Sequence, residues 1–416
     1  MLEKYFWKPK VLRRLRAGAA GPFLDGFASI LTVDGYSPHY VRTFIEEAEH
    51  LADWLNRRGV LVSSIDEAQI ARFVPHLAKC RCRRAFCKPH GGYRNTPPRL
   101  CKFLAYLRKI TVAPPALART TAESREVDAF CKWLRQQRGL AETTIVHHLY
   151  YVRPLFKTLG CDPRKYTPAK LRAFVLKRTK ACKCRSTRRI ASSLRVLLRY
   201  LAIHGRCAPE LVEALPRGPY WRLAPLPRYL KTNEVEKIIA RCDRNSPLLL
   251  RDRAVLLLLA RLGLRRGDVA SLRFDDIDWT GGRLRTFGKS RRETWLPLPQ
   301  EVGDAILAYV KKVRPPVTAN GQVFLTMRAP IRPVQSVSLG TRVARAIDRA
   351  GVEGSGHGAH LLRHSLATRM LGRGASLDQI GAVLRHRYIE TTAIYAKVDF
   401  RSLRKIAQPW PEVSSC

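Results

Sequence analysis

Apolar positions in the first half of the chain recur at a spacing near 3.6 residues, the period of helices that bury one face. The pattern runs twice. Gly35-Tyr36-Ser37-Pro38 opens a stretch whose apolar face reaches Leu51 and Leu55 before Gly59, and Gly139-Leu140-Ala141-Glu142 opens another that reaches Leu155 and Leu159 before Gly160. Ile70-Ala71-Arg72-Phe73-Val74 is then matched by Leu171-Arg172-Ala173-Phe174-Val175, and Phe103-Leu104-Ala105-Tyr106-Leu107 by Leu197-Leu198-Arg199-Tyr200-Leu201. Each copy predicts a small bundle of about four helices. Pro114 and Pro115 break the pattern between the copies. Pro209, Pro216, Pro219, Pro225 and Pro227 break it again, because each removes a backbone donor and clashes with the preceding turn.

Beyond that break the pattern changes. Thr232 is expected to cap a helix through Ile239, with Glu234 and Glu236 near its positive end. Arg253 to Leu262 is apolar enough for a buried helix. Arg283 to Phe287 and Glu293 to Leu298 flank Gly288-Lys289-Ser290 and predict two strands joined by a short turn. Helical periodicity returns at Val334 and continues past Tyr395. The expected fold is mainly α: two helical amino-terminal domains (1–114 and 115–215), a proline-rich linker (216–227), a mixed α+β domain with a small antiparallel sheet (228–400) and a tail (401–416).

Charge narrows the function. Lys and Arg number 76 against 33 Asp and Glu, a formal +43 with a pI near 10.7. A surplus of that size repels itself unless a polyanion neutralises it, and double-stranded DNA does so with release of counterions. A hydrophobic content of 46% excludes a disordered basic tail. No stretch approaches the roughly 18 apolar residues of a membrane helix, and Met1 to Lys10 has no apolar core for a signal peptide. A cytoplasmic, nucleoid-associated protein with no membrane partner is expected, its 11 cysteines reduced.

Against this background one set of residues stands out in the last two fifths of the chain: Arg265, Lys289, His360, Arg363, His386 and Tyr395. A phosphodiester under attack needs cations around its oxygens, a nucleophile in line and an acid for the leaving oxygen. Arg265 and Arg363 are permanently charged forks that can hold both nonbridging oxygens of one phosphate. Asp268, three residues after Arg265, could orient its guanidinium. His360 precedes Arg363 by one helical turn and could take the proton of the Tyr395 hydroxyl. Lys289, at the hairpin tip, is placed to protonate the departing oxygen, and His386 to donate a further hydrogen bond. With cations and imidazoles in place, neither a metal nor another cofactor is expected in the reaction.

Gly263-Leu264-Arg265 with Asp268, the hairpin Lys289, His360-Leu361-Leu362-Arg363-His364, Leu384-Arg385-His386 and Thr391-Thr392-Ala393-Ile394-Tyr395 together resemble the catalytic signature of the tyrosine recombinases, the phage-integrase family, over roughly residues 228 to 400. The resemblance implies a 3′-phosphotyrosyl intermediate, strand exchange by four protomers on DNA, and a mobile-element integrase active in DNA integration or transposition. It also implies a clamp of the last two domains around the duplex, in which Thr143, Thr144, Arg185, Ser186, Arg188 and Arg189 are candidate contacts. Family members usually carry Glu at Asp268, Gly at Ser290, Pro at Ala359 and Gly at Arg385.

Two other functions are compatible with the same residues. A type IB topoisomerase would religate the same strand, and a DNA-binding regulator with a decayed site would not need Tyr395. Cys80, Cys82, Cys87 and His90 could ligate zinc, although Cys80-Arg81-Cys82 lacks the usual two-residue spacer; the alternative is a basic loop on the DNA backbone. In the tail, Leu403, Ile406 and Trp410 could dock on a neighbouring protomer or pack in cis.

Overall fold

The computed structural model describes residues 1–78, 80, 95–115, 122–179, 184–216, 226–242, 246–287, 293–316, 321–352 and 358–408, side chains at 122, 124, 184–186 and 400–402 excepted. Its contacts separate two units, Met1–Pro114 with Leu223–Cys416, and Pro115–Arg222.

The first helices of the larger unit are α1 (Pro9–Ala17), α2 (Gly21–Val33), α3 (Pro38–Asn56), α4 (Glu67–Ala78) and α5 (Thr96–Lys109). Pro38 starts α3 in its first turn, where the backbone N–H has no intrahelical partner to lose. The apolar stripe read from the sequence is the buried one: Val41, Ile45, Leu51 and Leu55 of α3 close on Phe27, Phe73 and Phe103, all fully or nearly fully buried. Phe27 packs against Phe44, Phe103 and Tyr106 at centroid distances of 6.1, 5.0 and 5.5 Å.

The smaller unit holds α6 (Ala122–Gln136), α7 (Glu142–Leu159), α8 (Pro168–Thr179) and α9 (Cys184–Ile203). Phe130, Leu155, Phe174, Leu197 and Leu201 form its core, matching the second copy of the sequence pattern. Arg206 closes the bundle with a two-pronged ion pair to Glu126, at 2.6 and 2.8 Å. His148 of α7 lies 3.0 Å from the Ser193 hydroxyl of α9.

The rest of the larger unit runs α10 (Thr232–Ala240), α11 (Pro247–Arg261), α12 (Arg266–Ser271), β1 (Ile277–Asp278), β2 (Arg283–Phe287), β3 (Glu293–Pro297), α13 (Gln300–Lys312), α14 (Ser336–Arg349), α15 (Ala359–Gly372) and α16 (Leu377–Leu384). Two 3-10 turns follow, Ile389–Thr391 and Ala393–Val398, and then α17 (Phe400–Ile406). The strands form an antiparallel sheet in the order β1-β2-β3, with Leu284 opposite Leu296 and Arg285 opposite Trp295. The two expected strands are present, and the two-residue β1 lacks enough alternation to be visible in sequence. Helix α11 begins at Pro247, earlier than its apolar run, and buries Leu256, Leu257, Leu258 and Leu259 between α13 and α15. Thr232 is the first residue of α10 rather than its cap; the cap is Lys231, whose N–H donates to Glu234 at 2.6 Å. Among the described residues no helix is long and apolar enough to cross a membrane.

Candidate active site

A cleft in the larger unit is lined by Arg265, His360, Arg363, His364, Arg385, His386 and Tyr395, among others. Four elements or turns supply these seven, so the site forms only when the unit folds. Arg265 caps the start of α12, and His360, Arg363 and His364 come from the first turns of α15. Arg385 and His386 follow α16, and Tyr395 lies in the second 3-10 turn.

Arg363 is the anchor. It is 4% exposed, and its two Nη atoms donate to the carbonyls of Gly263 and Leu384, which fixes the plane of the fork. Gly263 can offer that carbonyl because its φ is +57°, and a Cβ there would lie 2.8 Å from Leu384 and 3.0 Å from Leu366. Burial, with Arg265 and Arg385 nearby, pushes the Arg363 pKa down to about 9, which leaves it charged at neutral pH. Arg265 donates from Nη2 to the Arg385 carbonyl at 3.1 Å, and its buried Nη1 has no protein partner. A buried guanidinium N–H without a partner is costly unless a ligand supplies the acceptor.

Asp268 acts differently from the sequence expectation. Its Oδ2 accepts the Arg265 backbone N–H at 3.1 Å and lies 3.1 Å from Nη2 of Arg385, so it holds Arg265 by the main chain and spends its charge on Arg385. Arg385 itself was not among the expected site residues. It sits where the family usually has glycine, at φ 54° and ψ 49°, a left-handed conformation that costs a side-chain-bearing residue on the order of 1 kcal/mol. Its Nη1 donates to Thr286 of β2 at 2.8 Å, tying the cleft to the sheet.

The imidazole against the phenol is also a different one. His364 Nδ1 lies 2.8 Å from the Tyr395 hydroxyl, whereas His360 is exposed at the cleft edge, its ring 6.5 Å from that of His364. Tyr395 is 1% exposed and packs with Leu366, Ala367, Ile380 and Leu384. Burial raises its pKa to about 12, against which Arg363 pulls only partly. Burial also lowers His364 to about 4, helped by His360 and Arg363, and lowers His386 to about 4, helped by Arg363 and Arg265. His386 Nδ1 lies 2.8 Å from the Thr392 hydroxyl.

Lys289 lies outside the described residues, on the chain between β2 and β3. Of the candidate DNA contacts, Thr143 and Thr144 are exposed on the first turn of α7, and Arg188 and Arg189 are exposed on α9. The side chains of Arg185 and Ser186 are outside the described set. Of the four candidate zinc ligands only Cys80 is described, and its neighbours are His50 and His76. In the tail, Leu403 and Ile406 are exposed and Trp410 is outside the described residues.

Residues 228–402 match the phage integrase family. The chain is 35% identical to "Putative integrase/recombinase y4rA" of Sinorhizobium fredii over 98% of its own length and 99% of that protein's. In fold it is similar to the XerH site-specific recombinase bound to a palindromic difH substrate, with a TM-score of 0.53, 18% identity, and coverage of 81% of this chain and 93% of that one. It is similar also to a lambda integrase tetramer bound to a Holliday junction, with a TM-score of 0.51, 18% identity, and coverage of 73% and 87%. The chain belongs to the phage integrase family, the tyrosine recombinases.

Proposed function

We propose that this protein is a site-specific DNA recombinase that cleaves and rejoins strands through a 3′-phosphotyrosyl intermediate. The observation that carries the reading is one cleft in which Arg265, Arg363 and His386 converge beside the Tyr395 hydroxyl, itself 2.8 Å from an imidazole. The unpartnered Nη1 of Arg265 and the fixed fork of Arg363 suit the two nonbridging oxygens of a scissile phosphate. His386, neutral at pH 7, donates a third hydrogen bond, and Arg385, paired with Asp268, braces Arg265 through its carbonyl.

In the chemical step the Tyr395 oxygen attacks phosphorus while its proton passes to an imidazole. His364 is the one in contact, and His360 is the one at the cleft edge where substrate enters. The new bond joins phosphorus to the tyrosine oxygen, and the bond to the 5′-oxygen breaks. Lys289 is assigned the proton that this oxygen needs. Attack by a 5′-hydroxyl from another duplex reverses the step and reseals the strand in a new pairing, so no external energy source is consumed. With its pKa raised to about 12 by burial, the Tyr395 phenol keeps its proton at pH 7 until an imidazole takes it as the oxygen attacks.

On this reading residues 115–215 form a DNA-binding domain that presents Thr143, Thr144, Arg188 and Arg189, together with Arg185 and Ser186, and residues 1–114 extend the footprint. Assembly as a tetramer on DNA is supported by the likeness to the lambda integrase tetramer, and the exposed Leu403 and Ile406 of α17 suit a contact with the next protomer. Action on a mobile element is supported by the integrase/recombinase name of the Sinorhizobium relative.

The test uses nicked duplexes with a randomised core, from which the short fragment bearing the new 5′-hydroxyl escapes and leaves protein trapped on the 3′ end of the rest. Wild type is expected to enrich one sequence in the covalent fraction, and Tyr395→Phe to give none. Covalent trapping that survives Tyr395→Phe would remove the nucleophile assignment, and relaxation of any supercoiled plasmid without a preferred site would favour a topoisomerase.

A further inference from the structure

Away from the cleft, the first helical bundle brings together three side chains that are each a good ligand for a transition metal. His50 lies in α3 and is 7% exposed; His76 lies in the last turn of α4; Cys80 follows the end of that helix. One ligating atom of each lies within 4.8 Å of the others, and His50 Nε2 is 3.5 Å from Cys80 Sγ. Zinc bonds of about 2.0 Å to nitrogen and about 2.3 Å to sulfur, arranged tetrahedrally, place such a nitrogen and sulfur roughly 3.6 Å apart. The observed separation, which also serves a thiol–imidazole hydrogen bond, therefore fits two ligands of one ion without rearrangement. The rings are held from behind: His50 packs edge-on to Phe73 at 5.1 Å and 5.5 Å from His76, and His76 lies 6.0 Å from Trp54. Such packing fixes the imidazoles before a metal arrives, which lowers the ordering cost of binding it.

The repeat sharpens the case. Aligning Leu51 with Leu155 and Phe73 with Phe174 places Pro154 and Lys177 where the first bundle has His50 and His76. The second copy keeps a cysteine pair at the matching place, Cys182-Lys183-Cys184, but neither histidine, so the three-ligand set belongs to the first bundle.

We propose that His50, His76 and Cys80 bind a structural zinc ion that staples the end of α4 to α3. Binding releases the Cys80 thiol proton to solvent and forms a metal–thiolate bond, with the fourth position open to water or to a further donor. The ion takes no part in strand cleavage. It fixes the end of α4, after which the sequence carries Arg81, Arg83, Arg84 and Lys88, residue types suited to a phosphate backbone.

The full-length protein, loaded with zinc and dialysed against metal-free buffer, is the material for the test. Stoichiometric retained zinc is expected, with zinc-edge X-ray absorption reporting a mixed nitrogen and sulfur shell. His50→Ala, His76→Ala and Cys80→Ser should each weaken retention by at least about tenfold, and a chelator should lower the melting temperature of wild type more than that of the double variant His50→Ala/His76→Ala. Failure of wild type to retain zinc, retention unchanged in all three variants, or a shell of sulfur alone or oxygen alone would overturn the proposal. The absorption measurement needs no variant: two nitrogens to one sulfur is expected of His50, His76 and Cys80, whereas three sulfurs to one nitrogen would assign the ion to Cys80, Cys82, Cys87 and His90 and overturn the proposal even if a substitution prevents folding.

Discussion

Neutral imidazole is the form that both His364 and His386 take at pH 7, and the reason is local. Each is buried beside arginines, so its pKa falls from 6.5 to about 4. Such a group binds its proton more readily in the unfolded chain, so the stability it contributes is complete above pH 6.5 and is lost as pH falls toward 4. His364→Gln, which keeps an acceptor for Tyr395 and cannot titrate, should therefore lose less stability than wild type between about pH 8 and about pH 5, measured by urea unfolding at both. Equal losses in the two proteins would show that His364 is not held neutral. The same scale shows where sequence reading stopped. Arg265, Arg363, His386 and Tyr395 are singled out in the sequence by type, spacing and order, and one cleft is lined by all four. Arg385 and His364 are not singled out there, because their roles come from contacts across the chain. Arg385 is 120 residues from Arg265, whose guanidinium its carbonyl receives, and His364 is 31 residues from the phenol it touches.

Helix α11 illustrates what holds an element whose surface is nearly all inside. Its leucines read plainly as core, yet Arg251 and Asp252 near its start are 2% and 3% exposed. Asp252 Oδ1 lies 3.1 Å from Arg251 Nη2, its Oδ2 lies 3.7 Å from Arg342 of α14, and Arg251 Nη1 donates to the Leu325 carbonyl at 3.2 Å. Removing one member of a buried pair leaves a desolvated charge, and Asp252→Ala should cost about 3–5 kcal/mol. Thermal and denaturant unfolding would check this, and a loss below about 1 kcal/mol would mean that water reaches Arg251. In sequence these two residues look like the polar margin of an amphipathic helix. Only the packing of α11 against α13, α14 and α15 removes that margin from solvent.

For the whole molecule the governing quantity is the formal +43. Binding to duplex DNA should weaken steeply with salt, log K falling with log salt by about 0.9 for each phosphate neutralised, and a slope of roughly −6 or steeper is expected for a footprint of this kind. Fluorescence anisotropy on a labelled duplex over a range of salt measures it. A slope shallower than about −2 would mean that the surplus charge faces something other than DNA.

Periodicity was enough to predict the helical bundles and the paired strands β2 and β3, and the order of the polar residues was enough to point to the family, since each is a local property or a fixed sequence of residue types. Distance was decided elsewhere. That Asp268 serves Arg385, that His364 rather than His360 meets Tyr395, and that His50 and His76 meet Cys80 all depend on helices packing across tens of residues. Side-chain spacing along a chain sets which face a residue occupies, whereas close packing between elements sets which residue lies opposite it.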